Sequence, residues 1–145
     1  MTFSIEFCGE LRPGLGRLGR IVVGDFCRET FFSCVSGRPW READYERSWR
    51  EGVRRVLEDG RGVLITYASA RPVAVSWWPL YRVRGWVIAQ PGLLWQRPRD
   101  WCWDEPWAHV PPRRPPLRRP RISDYRVPVS DVDDWLALAE EQRGR

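Results

Sequence analysis

Lysine is absent from this 145-residue chain, and all 24 basic side chains are arginine. Charge recognition therefore rests on guanidinium, which forks onto carboxylates and phosphates and stacks on indoles as an ammonium does not. Histidine occurs once, at His109, and the cysteines Cys8, Cys27, Cys34 and Cys102 form no CxxC pair. That spacing supplies neither a zinc ligand set nor the disulfide framework of a small secreted domain. No apolar run approaches the length of a membrane span, and the start Met1-Thr2-Phe3-Ser4-Ile5-Glu6 has no basic leader or apolar signal region. No P-loop, GxGxxG, HExxH or paired-carboxylate spacing occurs. These absences predict a soluble, reduced, cytoplasmic protein without metal, cofactor or membrane partner.

Tryptophan and proline are abundant instead, with 10 and 13 residues. Each indole can bury about 150–250 Å². A few suffice for a core, and the others need another reason. The net charge of +5 is compatible with nucleic-acid affinity but does not require it. The length fits one domain over residues 1–145.

The stretch Val73–Ala89, with Trp77-Trp78-Pro79-Leu80-Tyr81-Arg82 at its centre, reads as two antiparallel strands turning at Val83-Arg84-Gly85. Pro79 cannot donate a ladder hydrogen bond and belongs at an edge, a bulge or a strand end. Upstream, Phe3, Ile5 and Phe7 alternate with polar residues as a half-buried strand, and Leu11–Gly16 breaks it. Ile21–Val23 resumes extended structure, Gly24-Asp25 suggests a bulge or bend, and Phe26–Val35 reads as a further strand. From Trp40 to Glu58 the period becomes helical, with Tyr45, Trp49, Val53 and Leu57 on one face. Gly62–Tyr67 is a strand. Trp95–Pro120 is a proline-rich loop, Ile122–Val127 a short edge strand, and Ser130–Asp133 caps a helix that turns Val132, Trp135, Leu136 and Ala139 inward.

The predicted fold is α+β, with an antiparallel sheet of about five strands, the long helix on one face and a short C-terminal helix. Its core comprises Tyr45, Trp49, Val53, Leu57, Trp77, Trp78 and Tyr81. Catalytic readings are weak. Cys8, Cys27 or Cys34 with His109 is a conceivable nucleophile–base pair, but thiols in apolar strands are expected to be buried and inert. Asp25 is expected to cap backbone groups. The tract Arg113–Arg121 behind the tryptophans suggests a small nucleic-acid-binding protein using the Arg/Trp-rich loop as an alternative function. Against it, the arginines and tryptophans form separate blocks, and Asp100, Asp104 and Glu105 would repel phosphate. The same tract offers Trp and Arg, the residues that dominate protein interfaces. The candidate partner surface is Asp100, Trp101, Trp103, Asp104, Glu105 and Trp107, with a lid of tryptophans packed over the sheet as the competing structural reading.

The order of short motifs carries a resemblance. Ile21-Val22-Val23-Gly24-Asp25-Phe26, Glu29-Thr30-Phe31, Trp40 with Tyr45 and Trp49, Trp77–Arg82, and Ile122-Ser123-Asp124-Tyr125 before Asp131-Val132 are similar to bacterial immunity proteins of the contact-dependent growth inhibition type. The similarity covers about residues 20–136. It implies a cytoplasmic, non-enzymatic protein that binds the C-terminal toxin domain of a cognate polymorphic effector, often a nuclease, and covers its active site. The chain departs from that pattern in being net basic where many nuclease inhibitors are acidic, and in its tryptophan- and proline-rich tract. Either the partner surface is then acidic, or local acids such as Asp100, Asp104 and Glu105 do the pairing.

Overall fold

A computed structural model of the protein describes residues 2–32, 40–68, 75–113 and 124–144. The chain runs β1 (Phe3–Arg12), β2 (Gly16–Val23), β3 (Phe26–Phe32), α1 (Glu42–Asp59), β4 (Arg61–Tyr67), β5 (Val75–Val83), β6 (Trp86–Ala89), β7 (Gly92–Leu94), a 3-10 turn (Pro106–His109), β8 (Tyr125–Pro128) and α2 (Val129–Arg143). The architecture is α+β. The strands form two antiparallel sheets rather than one: β1-β2-β3, and β4-β5-β6-β8 with β7 beside β5. Strand period reveals which residues alternate but not which strands pair, so the division was invisible in the sequence.

The first sheet is a meander. Val23 pairs with Phe26, so Gly24-Asp25 is a two-residue hairpin turn rather than a bulge. Gly24 adopts φ +62°, and a Cβ there would lie 2.7 Å from the Arg126 carbonyl oxygen. β1 extends past Phe7 through an irregularity to Arg12, residues that read as a turn. The expected Phe26–Val35 strand ends at Phe32 within the described residues. Phe3 and Ile5 take the inward face of β1, and Cys8 is exposed, as are Cys27 and Cys102. That corrects the expected burial of Cys8 and Cys27, while Cys34 lies outside the described residues.

In the second sheet, β5 is the long central strand, and the hairpin turn narrows to Arg84-Gly85 because Val83 pairs with Trp86. Val73 and Ala74 lie outside the described residues. Pro79 pairs with Val63 on one side. On the other, β6 ends at Ala89 and β7 begins at Gly92, with the Gln90 amide donating to the Pro79 carbonyl at 2.9 Å. The proline thus faces a break in its neighbouring ladder, the place its missing donor permits.

α1 joins the two sheets. Its ring side chains meet the first sheet, with Phe32 5.5 Å from Tyr45 and 5.1 Å from Trp49, centroid to centroid. Its backbone approaches β4 across Gly52 and Gly62, where a Cβ on either would come 2.0 Å from a backbone oxygen of the other element. Tyr45, Trp49, Val53 and Val56 are buried, as are Trp77, Trp78 and Tyr81, while Leu57 is only half-buried at the edge. The helix begins at Glu42, two residues later than the periodicity suggests. Asp44 accepts a hydrogen bond from the Arg41 amide at 2.9 Å, and Trp40 is buried ahead of the helix.

α2 starts at Val129 on Pro128, and no side chain caps it. The expected Ser130–Asp133 cap is absent because the helix already begins at Val129, which puts Ser130 inside its first turn, while Asp131 is engaged elsewhere. Its carboxylate accepts hydrogen bonds from the hydroxyl and the amide of Thr2, tying α2 to β1. Those bonds, the hydroxyl's first, hold the Asp131 carboxyl below its ordinary range. Val132 is buried, and Trp135 lies edge-on to Phe3 at 5.6 Å. No helix among the described residues is long and apolar enough to cross a membrane.

Candidate functional site

The tract after β7 is folded against the body as far as residue 113. The Trp101 amide donates to the Pro98 carbonyl and the Glu105 amide to the Cys102 carbonyl, both at 3.1 Å, making two tight turns. Pro106 opens the 3-10 turn, where its missing donor is harmless, and is buried along with Val110. The Tyr81 hydroxyl donates to the Pro111 carbonyl at 2.7 Å and fixes the far end.

These anchors bring the tryptophans together. Trp101 lies 6.2 Å from Trp77 and 5.4 Å from Trp103, Trp103 lies 5.5 Å from Trp40, and His109 stacks on Trp101 at 5.2 Å. Trp101, Trp103 and Trp107 are half-buried, each packed against the core with part of the ring in solvent. They are therefore neither a closed lid nor free anchors. Asp100, Asp104 and Glu105 are exposed beside them. The Arg55 guanidinium lies over Trp107 at 4.9 Å and that of Arg97 over Trp103 at 5.2 Å. Arg55 also bonds Glu51 at 3.1 Å and Asp59 at 3.3 Å, and the Glu51 bond is the main cause raising its pKa above the ordinary value.

Between this tract and α1 lies a cavity of about 470 Å³, lined by Trp40, Asp44, Arg47, Ser48, Glu51, Trp103, Asp104 and Trp107. Arg47 donates to Asp44 at 3.0 Å and approaches Asp104 at 3.9 Å. The Ser48 hydroxyl is buried without a hydrogen-bond partner among the described residues, as is the Trp101 indole nitrogen. Trp40, Asp44, Arg47, Ser48 and Glu51 were not among the residues expected here. Asp44, Ser48 and Glu51 are spaced i, i+4 and i+7, which makes a stripe beside the apolar face and was the available signal. A second groove, about 840 Å³, runs between the sheets under Phe31, Trp78, Leu93, Trp95 and Tyr125, with Arg28 the one charged lining residue among those described.

Among the described residues the catalytic candidates do not converge. His109 stacks on Trp101, Cys8 and Cys27 belong to the first sheet, and Asp25 is exposed in a hairpin turn. Of the basic tract, residues 114–121 lie outside the described residues.

Two antiparallel sheets gripped by one long helix form the fold of a solved toxin–immunity assembly. A chain of the CdiA-CT/CdiI toxin and immunity complex from Enterobacter cloacae matches with a TM-score of 0.81 at 18% identity, over 96% of this chain and 99% of that one. The family model described as the CdiI N-terminal domain matches residues 36–135, and the chain belongs to that family, the immunity proteins of contact-dependent growth inhibition. The match runs through the tryptophan-rich tract that the short motifs left unplaced. No curated protein sequence matches the chain.

Proposed function

We propose that the protein neutralises a cognate toxin domain in the cytoplasm by one-to-one binding that covers the toxin's active site. The observation that carries this reading is membership of the CdiI family over residues 36–135. The surface we assign to the contact is Asp100, Trp101, Trp103, Asp104, Glu105 and Trp107, extended by Asp44 of α1. Half-buried indoles held by the core form rigid anchors that need little ordering on association. Exposed carboxylates around them complement the basic cleft of a nuclease, which is the toxin class this surface fits. Among the described residues, the groove between the sheets carries one arginine and no carboxylate to make such a complement.

The test is a titration of the protein into the C-terminal toxin domain of its cognate effector, reading both heat and the toxin's nuclease activity. Activity should vanish at one equivalent, and substrate should slow complex formation. A complex that forms while activity persists would separate binding from occlusion and overturn the mechanism.

A further inference from the structure

We propose that the cavity between α1 and the tryptophan tract is a receptor for a single arginine side chain of the toxin. The donor's identity rests on the function proposed above, whereas the guanidinium chemistry rests on the cavity. Trp103 and Trp107 already carry guanidinium groups of this chain over their rings, at 5.2 and 4.9 Å. Indoles in such surroundings are platforms on which arginine stacks.

An independent observation comes from Ser48. It is 8% exposed and lines the cavity, and its hydroxyl has no hydrogen-bond partner among the described residues. A buried hydroxyl left unpaired destabilises the fold unless something entering the cavity bonds to it. A guanidinium N–H is a donor it can accept.

The carboxylates at the mouth supply the countercharge. Glu51 is already engaged by Arg54 and Arg55, so it adds little. Asp104 has a 79% exposed side chain that Arg47 approaches at 3.9 Å. Arg47 is itself 62% exposed and bonded to Asp44 at 3.0 Å. It stands across the opening as a resident cation that an incoming guanidinium would displace, freeing Asp44 and Asp104 for a forked contact.

The test titrates N-acetyl-arginine amide into the intact protein and follows indole N–H resonances. N-acetyl-citrulline amide, its neutral isostere, is the control. Saturable shifts at Trp103 and Trp107 are expected with the arginine probe, at least about fivefold weaker with citrulline. Ser48→Ala should raise Tm by about 2 °C, because it removes the orphan hydroxyl and improves helix propensity, yet weaken the probe about fivefold. Arg47→Ala should strengthen it. Equal response to both probes, or no saturable shift at these indoles, overturns the inference, as does a Ser48→Ala variant that keeps full affinity. Failure of the probe with an intact toxin complex sinks this proposal alone. Loss of the complex with a responsive cavity sinks the proposed function instead.

Discussion

The Trp49 indole nitrogen in α1 donates to the Ile65 carbonyl of β4 at 2.9 Å, inside the core. The β4–β5 ladder shifts register between Ile65 and Tyr67, so this side chain serves a strand carbonyl at an irregularity of the sheet. Trp49→Ala should cost about 3–5 kcal/mol through the cavity it leaves. Trp49→Phe should keep most packing but orphan the carbonyl, at about 1–3 kcal/mol. Urea unfolding of both variants checks the order. A phenylalanine variant as unstable as the alanine one would mean that ring size, not the hydrogen bond, is immaterial.

Gly52 and Gly62 set the distance between α1 and β4, since a Cβ at either would lie 2.0 Å from backbone oxygen. Backbone cannot rotate away as a side chain does. Gly52→Ala should therefore destabilise by about 3 kcal/mol or more despite alanine's better helix propensity. Gly60 is the control: it caps α1 at φ +86° with nothing within 4 Å of a Cβ. Gly60→Ala should cost only about 1 kcal/mol, from the left-handed backbone alone. Thermal melts of the two separate crowding from conformation.

The depressed Asp131 carboxyl links stability to pH. A carboxyl whose folded pKa lies below its unfolded value stabilises the fold above the unfolded pKa, about 3.9. That contribution disappears as pH falls through the folded value. Wild type should lose it below about pH 4, whereas Asp131→Asn should lack it at every pH. The comparison is a pair of urea midpoints measured between neutral and strongly acidic pH. Parallel profiles for the two proteins would show that the Thr2 contacts carry no linkage.

Trp103 and Asp104 test the partner surface. Trp103→Ala with Asp104→Ala should weaken toxin binding by at least about a hundredfold, some 2.7 kcal/mol. Because Trp103 touches Trp40 and Trp101, a Tm loss of a few degrees is expected with the fold retained. Asp104→Ala alone forfeits only a 3.9 Å contact and should melt like the parent while still binding less tightly. Unchanged affinity in both would move the interface to the groove lined by Leu93 and Trp95 or to the flank of α1 carrying Glu42.

Local pattern alone determined the elements of this protein that have one. The helical spacing of Tyr45, Trp49 and Val53 placed α1 and its buried face, and aromatic and β-branched runs placed β4, β5 and β6. The motif order through Trp77–Arg82 and Asp131-Val132 also pointed to the immunity-protein family before any coordinates. Pairing was out of reach, because two sheets and one sheet share the same alternation. The turn at Gly24-Asp25 meets Arg126, and Asp131 in the first turn of α2 bonds Thr2, partners far along the chain that local pattern does not reveal. The candidate site shows the division most plainly. Composition singled out Trp101, Trp103, Trp107 and their neighbouring acids as residues with no periodic element to claim them. Only tertiary packing decided that each indole is half in the core and half in solvent. It also set Asp44 and Ser48, from a helix more than fifty residues earlier in the chain, across the same cavity. A cavity is made where two elements meet, and no local sequence rule encodes that meeting.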